Sequence, residues 1–558
     1  MWLMLLLVQL THKAAKFHPF NADICIFRYF NIMSSKKIQV WLPLAFAGIM
    51  VIGMVIGFQL KEKTMSSSFL SFSNRSTIQE LSDLIKSRYV DQIALDSING
   101  IVATDLLQKL DPHSIYIPRE ELLAVNEEMA GNFQGIGIEF RLINDTVNVM
   151  SVLSGGPADK AGMLVGDKLL SVNDSMHISG VKIDGFGVRK LFRGETGTSV
   201  KIKFKRGNIL QTLVVTRGVI PVSSIDAAYM ITDTIGYIRI NKFAERTYEE
   251  FMQALEKLQA AKMKSLIIDL RGNGGGLMKE AVDIADEFLG EDKLIVYTEG
   301  EHSPRISYTS KRPGLFETGK LAVLIDETAA SASEVLAGAL QDWDRATIIG
   351  RRSFGKGLVQ QQFQLSNGAA VRLTVARYYT PLGRNIQKPY NKGYAAYQYE
   401  LEQRFHTDSS KQNDTSNKKI YVTPKGKKLY GGGGITPDSA IPIDSIFFNK
   451  KLIPLFASGI INNVAYNYFV NRKSFFDSFK EPKTMLTGFM VGDAEVRLIE
   501  TEAKRQNIKW ESLTNDEKLF ITNRFKALIF RQKWHTEGYY KVLNETDKMV
   551  QKALITVH

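Results

Sequence analysis

The pattern of apolar and polar positions divides the chain into segments of different structural type. Residues 38–60 form an uncharged apolar run that is long enough to cross a bilayer. Apolar residues then recur at helical spacing in TIQELSDLIKSRYV and SINGIVATDLLQKL, which predicts a helical region over residues 76–125. Across residues 219–445, short apolar runs such as SLIIDL alternate with amphipathic segments such as TYEEFMQALEKLQAAKM, which predicts an α/β domain.

Two further regions complete the division. Residues 126–218 combine a glycine-opened strand, FQGIGIEF, with the turn-rich segment GGPADKAGMLVGDKLLSVND and the alternating segment GTSVKIKFKRG. Residues 446–558 contain the helical patterns AEVRLIETEAKRQN and NDEKLFITNRFKALIFRQKW. This C-terminal helical extension could pack on the core, pair two copies of the chain in a homo-oligomer or contact an adaptor. We expect packing.

The N-terminal residues predict a membrane orientation. Lys36 and Lys37 precede the apolar run, so residues 1–37 are predicted to be a cytoplasmic leader and residues 38–60 a transmembrane anchor. The run has no small-residue cleavage site after it, which favours an uncleaved anchor over a signal peptide. Met33 is a candidate for the true start. We expect a single-pass membrane protein with everything after residue 60 outside the cytoplasm.

Composition sets outer limits on the function. The 558 residues predict two to four domains, and 44% hydrophobic with 23% charged residues is typical of a globular protein. The net charge of +13 accompanies no nucleic-acid motif. Cys25 is the only cysteine, which excludes an intramolecular disulfide framework. The histidines are scattered and no HExxH motif occurs, so no metal or other cofactor is implied.

Ser331 is the first candidate for chemistry. It follows the apolar run LAVLID and the turn ETAA, and it opens the helical pattern SASEVLAGALQDW. A serine between a strand and a helix lies beside free backbone N–H groups, which can stabilise an oxyanion. The alternative is that Ser331 is only a helix N-cap, with Glu334 completing a capping box.

A nucleophilic serine needs a base. Asp342 lies 11 residues along the same helix, roughly 16 Å away at 1.5 Å per residue, and no histidine lies between Ser331 and residue 360. Lys356, in the loop segment RRSFGKG, could act as a base if burial lowered its pKa, and the side-chain carbonyl of Gln360 could orient its neutral amine. The alternative is a solvated loop lysine. His113, in the LDPHS turn, is interpreted as a packed or turn histidine.

These segments together resemble a known family. TAASASEVLAGALQD followed by GRRSFGKGLVQ closely resembles the C-terminal processing (tail-specific) serine peptidases, and the resemblance extends over residues 76–444. It implies that Ser331 is the nucleophile, Lys356 the base and Gln360 the support of the base. It also implies that the RGNGGG turn lends a backbone N–H of Gly275 or Gly276 to an oxyanion hole, together with the N–H of Ala332.

The resemblance also implies the fold. Residues 219–445 would form an α/β peptidase core of the crotonase or ClpP-like type, and residues 126–218 resemble a PDZ domain inserted before it. PDZ domains bind a free C-terminal tail by strand addition and hold its carboxylate in a backbone nest. The candidate nest is formed by Gly135, Ile136, Gly137 and Ile138. The alternative is a domain that binds nothing.

The sequence therefore predicts a membrane-anchored serine endopeptidase that recognises apolar, free C-termini of proteins or peptides and cleaves by a Ser–Lys mechanism. Two alternatives remain open. One is a non-catalytic PDZ scaffold on a peptidase-like fold, for which Ser331, Lys356 and Gln360 would not all be needed. The other is an acyl-binding or hydratase-like enzyme on the same core, which has no obvious need for a PDZ domain.

Overall fold

A computed structural model describes residues 35–64, 76–181, 183–406 and 419–558, apart from the side chains of residues 35–40, 42, 57–64, 95–97 and 406. The chain divides into two compact units, residues 1–95 and 96–558. The predicted leader up to residue 34, with Met33, lies outside the described residues.

Among its described residues, the first unit contains the helices α1 (Ser35–Thr64) and α2 (Thr77–Arg88). Helix α1 includes the whole predicted anchor, and Ser76 caps α2 by accepting a hydrogen bond from Gln79 N. Within the described part of the chain, no helix is both long and apolar enough to cross a membrane. The transmembrane anchor therefore stays a prediction.

Helix α3 (Leu95–Leu110) starts at the last residue of the first unit and otherwise belongs to the second, where β1 (Ile115–Ile117) and α4 (Arg119–Ala130) follow it. A small antiparallel sheet domain follows, in the order β3–β4–β5–β7–β8, with β6 paired to β5 and β2 paired to β9. Its apolar core includes Val149, Val188 and Phe204. The bounds are β2 (Asn132–Gly135), β3 (Ile138–Ile143), β4 (Thr146–Val152), α5 (Pro157–Lys160), β5 (Lys168–Val172), β6 (Met176–His177), α6 (Gly185–Phe192), β7 (Ser199–Arg206), β8 (Ile209–Thr216) and β9 (Gly218–Pro221).

The next domain has a central six-stranded sheet in the order β10–β11–β12–β15–β16–β21, parallel except for β10. A second sheet is built on β18, which pairs with β1, β13 and β17. The strands are β10 (Ile225–Met230), β11 (Ile235–Ile240), β12 (Ser265–Asp269), β13 (Leu294–Gly300), β14 (Ser303–Thr309), β15 (Lys320–Ile325), β16 (Thr347–Gly350), β17 (Leu358–Gln364), β18 (Ala370–Tyr379), β19 (Ile420–Val422), β20 (Lys428–Tyr430) and β21 (Ser439–Ala440).

Helices cover both faces of the central sheet. The helices of this domain are α7 (Thr247–Ala260), α8 (Met278–Asp286), α9 (Ala332–Asp342) and α10 (Tyr394–His406). Leu255, Ile284 and Leu336 of the first three pack against Ile268 and Val323 of the sheet. Strands β12 and β15 are buried along almost their whole length because both of their faces are covered, which is why SLIIDL and LAVLID are continuous apolar runs. The predicted α/β domain is confirmed.

The C-terminal extension is helical, as predicted, and contains its own aromatic core that includes Phe476, Phe525 and Phe530. Its helices are a 3-10 turn (Ser445–Phe448), α11 (Leu452–Ala457), α12 (Ile460–Asn471), α13 (Lys473–Ser478), α14 (Pro482–Gly488), α15 (Asp493–Arg505), α16 (Asn515–Leu543) and α17 (Lys548–Val557). Helix α16 is kinked at Trp534 and His535. Helix α17 packs Val550 and Ala553 against the second face of the central sheet. The expected packing on the core is therefore present.

Candidate active site

Ser331 lies at the turn between β15 and α9 in a strained conformation. Its φ of 56° and ψ of −114° are unusual for a non-glycine residue, and such strain is often kept at functional sites. Its backbone N–H donates to Glu334 Oε2 at 2.9 Å, but none of the hydrogen bonds within the described residues uses its hydroxyl. Of the two side-chain hydrogen bonds of a capping box, the one accepted by Glu334 is therefore present. The Ser331 hydroxyl remains available as a nucleophile.

Glu334 connects the serine turn to the lysine loop. Its buried carboxylate accepts four hydrogen bonds, from Ser331 N (2.9 Å), Lys356 N (2.8 Å), Gly355 N (2.7 Å) and Ser353 Oγ (2.5 Å). Burial raises the pKa of Glu334 to about 7, and these hydrogen bonds act against that rise. The sequence predicts Glu334 only as a capping residue, because its contacts with the lysine loop depend on the fold.

Lys356 is partly buried and is held by a neutral group. Its Nζ donates to Gln360 Oε1 at 2.9 Å, and no carboxylate in the described part of the chain forms an ion pair with it. Burial, and then the nearby Arg372, lower the pKa of Lys356. The neutral amine is therefore reached at a lower pH than for a solvated lysine. This environment does not fit the alternative of a solvated loop lysine.

The LDPHS turn holds the side chain of Gln360. Its Nε2 donates to the backbone carbonyl of His113, whose Nε2 lies 2.7 Å from Tyr397 Oη. The pKa of His113 is lowered to about 4, first by burial and then by Lys356, so the imidazole is neutral at pH 7. Nothing in the sequence indicates a catalytic role for Tyr397 in α10, and the sequence predicts His113 only as a packed or turn residue.

The RGNGGG turn lies directly against the serine. A Cβ placed on Gly275 would lie 2.7 Å from Ser331 Cβ and 3.0 Å from Ala332 N. The N–H of Gly275 donates to Asn273 Oδ1 at 2.8 Å. Among the described residues, no hydrogen bond uses the N–H of Ala332 or of Gly276. Of the two glycines that the sequence left open, Gly276 is therefore the one with an available donor.

The predicted tail-binding residues line a groove of about 660 Å³ between β3 and α6. No hydrogen bond within the described residues uses the N–H of Ile136 or Gly137, and Gly137 has a φ of 77°. The groove lies beside these free amides, and its lining includes Gly135, Ile136, Gly137, Ile138, Phe140, Leu142 and Phe192. Such a lining suits an apolar side chain next to a carboxylate.

Comparison with known proteins finds family matches in three parts of the chain. Residues 234–393 match peptidase family S41, residues 134–216 match a PDZ domain, and residues 452–535 match a family of unknown function (DUF8443). Among solved structures, the photosystem II D1 C-terminal processing protease is 26% identical, with 67% of this chain and 88% of that chain covered and a TM-score of 0.36.

Two curated relatives carry related names. A "Probable CtpA-like serine protease" of Staphylococcus haemolyticus is 34% identical over 305 residues, which cover 54% of this chain and 60% of the relative. A "Carboxy-terminal-processing protease" of Bartonella bacilliformis is 32% identical over 395 residues, which cover 65% of this chain and 89% of the relative. The chain therefore belongs to the carboxy-terminal-processing serine proteases of peptidase family S41, and it carries a PDZ domain and a helical C-terminal region.

Proposed function

We propose that the chain cleaves peptide bonds with Ser331 as nucleophile and Lys356 as base. One observation supports this most strongly. Lys356 Nζ is partly buried, has no carboxylate partner in the described part of the chain, and is held by the uncharged Gln360. A lysine serves as a base only when its neutral form is accessible, and this environment favours that form.

In the proposed mechanism, neutral Lys356 takes the hydroxyl proton of Ser331 as the Oγ attacks the carbonyl carbon of the scissile bond. The N–H groups of Ala332 and Gly276 stabilise the oxyanion. The lysine ammonium then donates its proton to the leaving amine, and the acyl part of the substrate remains as an ester on Ser331. A water molecule, deprotonated by Lys356, attacks this ester. The acid product leaves as the Lys356 ammonium returns the proton to Ser331 Oγ. Gln360 keeps Lys356 in position throughout.

We further propose that the PDZ domain recognises protein or peptide substrates by a free, apolar C-terminus. The names of the relatives refer to processing at the carboxy terminus. The free N–H groups of Ile136 and Gly137, beside an apolar groove, support the same assignment here.

Membrane anchoring is proposed from the sequence. Residues 38–60 contain no charged residue, and 23 residues at ~1.5 Å each give roughly 34 Å of helix, which matches a hydrocarbon core of about 30 Å. Lys36 and Lys37 favour a cytoplasmic N-terminus, which would place the peptidase in the periplasm of a bacterial inner-membrane protein. The homo-oligomer and the adaptor contact also stay predictions.

Incubation of the purified chain with a denatured protein tests the proposal. We expect fragments from the wild-type protein and none from Ser331→Ala. Peptides with a free C-terminus should be cleaved faster than the same peptides with an amidated one, because amidation removes the charge that the nest binds. Fragments from the Ser331→Ala protein would contradict the nucleophile, and equal cleavage of acid and amide would contradict tail recognition.

A further inference from the structure

The groove proposed for the substrate tail carries an excess of positive charge. One carboxylate, Glu139, and four arginines line it, and the arginines are Arg141, Arg189, Arg193 and Arg531. Arg193 is engaged elsewhere, because its Nη1 lies 3.2 Å from Glu127 Oε2. Arg531 does not belong to the PDZ domain. It lies in α16 of the C-terminal extension, within the region that matches the family of unknown function.

The charges in the groove are poorly compensated. Arg141 and Arg189 form no ion pair with any described residue, whereas Arg531 Nη2 lies 3.0 Å from Glu139 Oε2. Both side chains of that pair are exposed, by 43% and 61%, and an exposed pair contributes little. Arg141 lies against Gly459 of the extension, and burial together with the neighbouring Arg531 lowers its pKa. A further carboxylate would relieve this repulsion.

Strand geometry indicates where that carboxylate would lie. In the described part of the chain β3 pairs only with β4, so its other edge is free for an added strand. Glu139 and Arg141 are two residues apart and share one face of β3. A tail whose carboxylate binds at Ile136 and Gly137 passes these residues at about 3.4 Å per residue. The positions roughly two to four residues before its end then lie beside Arg141 and Arg531.

We propose that the groove selects tails that carry Asp or Glu about two to four residues before an apolar C-terminal residue, and that Arg141 of β3 and Arg531 of the extension bind that carboxylate. The extension thereby contributes a specificity-determining residue to the PDZ domain. Charge-assisted bonds from guanidinium to carboxylate supply the selectivity. This inference rests on the proposed recognition of free C-termini.

Peptide binding to the full chain carrying Ser331→Ala tests the inference. Three fluorescent peptides are compared by anisotropy: one ending in Asp-Glu-Asp-Leu-Ala, one ending in Asn-Gln-Asn-Leu-Ala, and the amidated form of the first. We expect the acidic free acid to bind about three- to tenfold more tightly than the neutral one, an advantage that falls as salt rises. Equal binding of acidic and neutral acids overturns the inference alone. Equal binding of acid and amide overturns the proposed tail recognition.

Variants identify the residues. Arg531→Gln and Arg141→Gln should each reduce the advantage of the acidic peptide, with little effect on the neutral one. Glu139→Gln should increase the advantage of the acidic peptide, because Arg531 then loses its ion-pair partner. Misfolding would not produce such a gain of binding. Arg497→Gln removes an exposed arginine of α15 outside the groove and should change nothing. An unchanged preference in Arg531→Gln, or an equal loss in Arg497→Gln, overturns the role of the extension.

Discussion

Gly275 lies against Ser331, and the space around it differs sharply from the space around the adjacent Gly274. A Cβ on Gly275 would lie 2.7 Å from both Ser331 Cβ and the carbonyl oxygen of Ala330, and the φ of Gly275 is 100°. A Cβ on Gly274 would meet nothing within 4 Å. Glycine is needed at Gly275 both for the backbone conformation and for the close approach to the nucleophile.

Gly275→Ala should therefore lower peptide cleavage by about 10²-fold or more, because it displaces Ser331 and the neighbouring N–H donors. Gly274→Ala is the matched control and should keep most of the activity. Initial rates on one peptide substrate measure both, with circular dichroism to verify folding. Similar activities in the two variants would contradict the close packing of this turn on the serine.

The residues of the proposed mechanism differ in how far the sequence could predict them. Ser331, Lys356 and Gln360 lie within 30 residues of one another, so a short pattern identified them, and the hydrogen bond from Lys356 to Gln360 agrees with the predicted support. Tyr397 was missed because it contacts His113 across 284 residues of chain. The oxyanion-hole donor in the glycine turn could not be chosen from sequence, because the choice depends on which glycine N–H donates to Asn273 Oδ1 instead.

At the level of secondary structure elements, the last helix is tied to the glycine turn. Asp547 caps α17 by accepting hydrogen bonds from Met549 N and Val550 N, and its second oxygen accepts from Arg271 Nη1 at 2.7 Å. Arg271 also pairs with the buried Asp269, at the end of β12. The helical patterns of the extension were readable from sequence, but this attachment depends on contacts between residues that are far apart in the chain.

Asp547→Ala removes both the helix cap and the ion pair with Arg271. It should lower the free energy of unfolding by about 2–3 kcal/mol, because a cap contributes ~1 kcal/mol and a partly buried ion pair contributes the remainder. Asp547→Asn retains a capping side chain and should reduce stability less. The midpoint of thermal unfolding should fall in the order wild type, Asn, Ala. Asp516→Asn, at an exposed position in the first turn of α16, is the control. Unchanged midpoints in both Asp547 variants would contradict the attachment.

Within residues 96–558, the C-terminal extension contacts both the PDZ domain and the peptidase domain. Tyr466 Oη donates to Val149 O of the PDZ domain at 3.1 Å, and Asn544 Nδ2 donates to Tyr229 Oη of the peptidase domain at 2.9 Å. The α/β class, the PDZ domain and the helical extension were all predictable from periodicity and motifs. The contacts of the extension with both domains were not predictable, because neither helical pattern indicates which surface its helix covers.

The predicted orientation of the chain in the membrane can be tested with the full-length protein. If residues 38–60 anchor the chain with Lys36 and Lys37 in the cytoplasm, protease added to cells with a permeabilised outer membrane should digest everything after residue 75. Immunoblotting for a C-terminal tag measures this, and a cytoplasmic protein serves as the intactness control. Protection of the full-length chain would contradict the orientation, and recovery of the tagged chain in the soluble fraction would contradict the anchor.

The central claim is that Lys356 acts as the base, and the cleavage rate of purified Lys356→Arg tests it most directly. Arginine keeps the positive charge but has no usable neutral form, since its pKa is above ~12. Lys533→Arg, at a partly buried lysine paired with Asp477, is the control and should cleave normally. We predict that Lys356→Arg folds, binds free-acid peptides and cleaves at least about 10²-fold more slowly than wild type, close to Ser331→Ala. Substantial cleavage by Lys356→Arg would contradict the Ser–Lys mechanism.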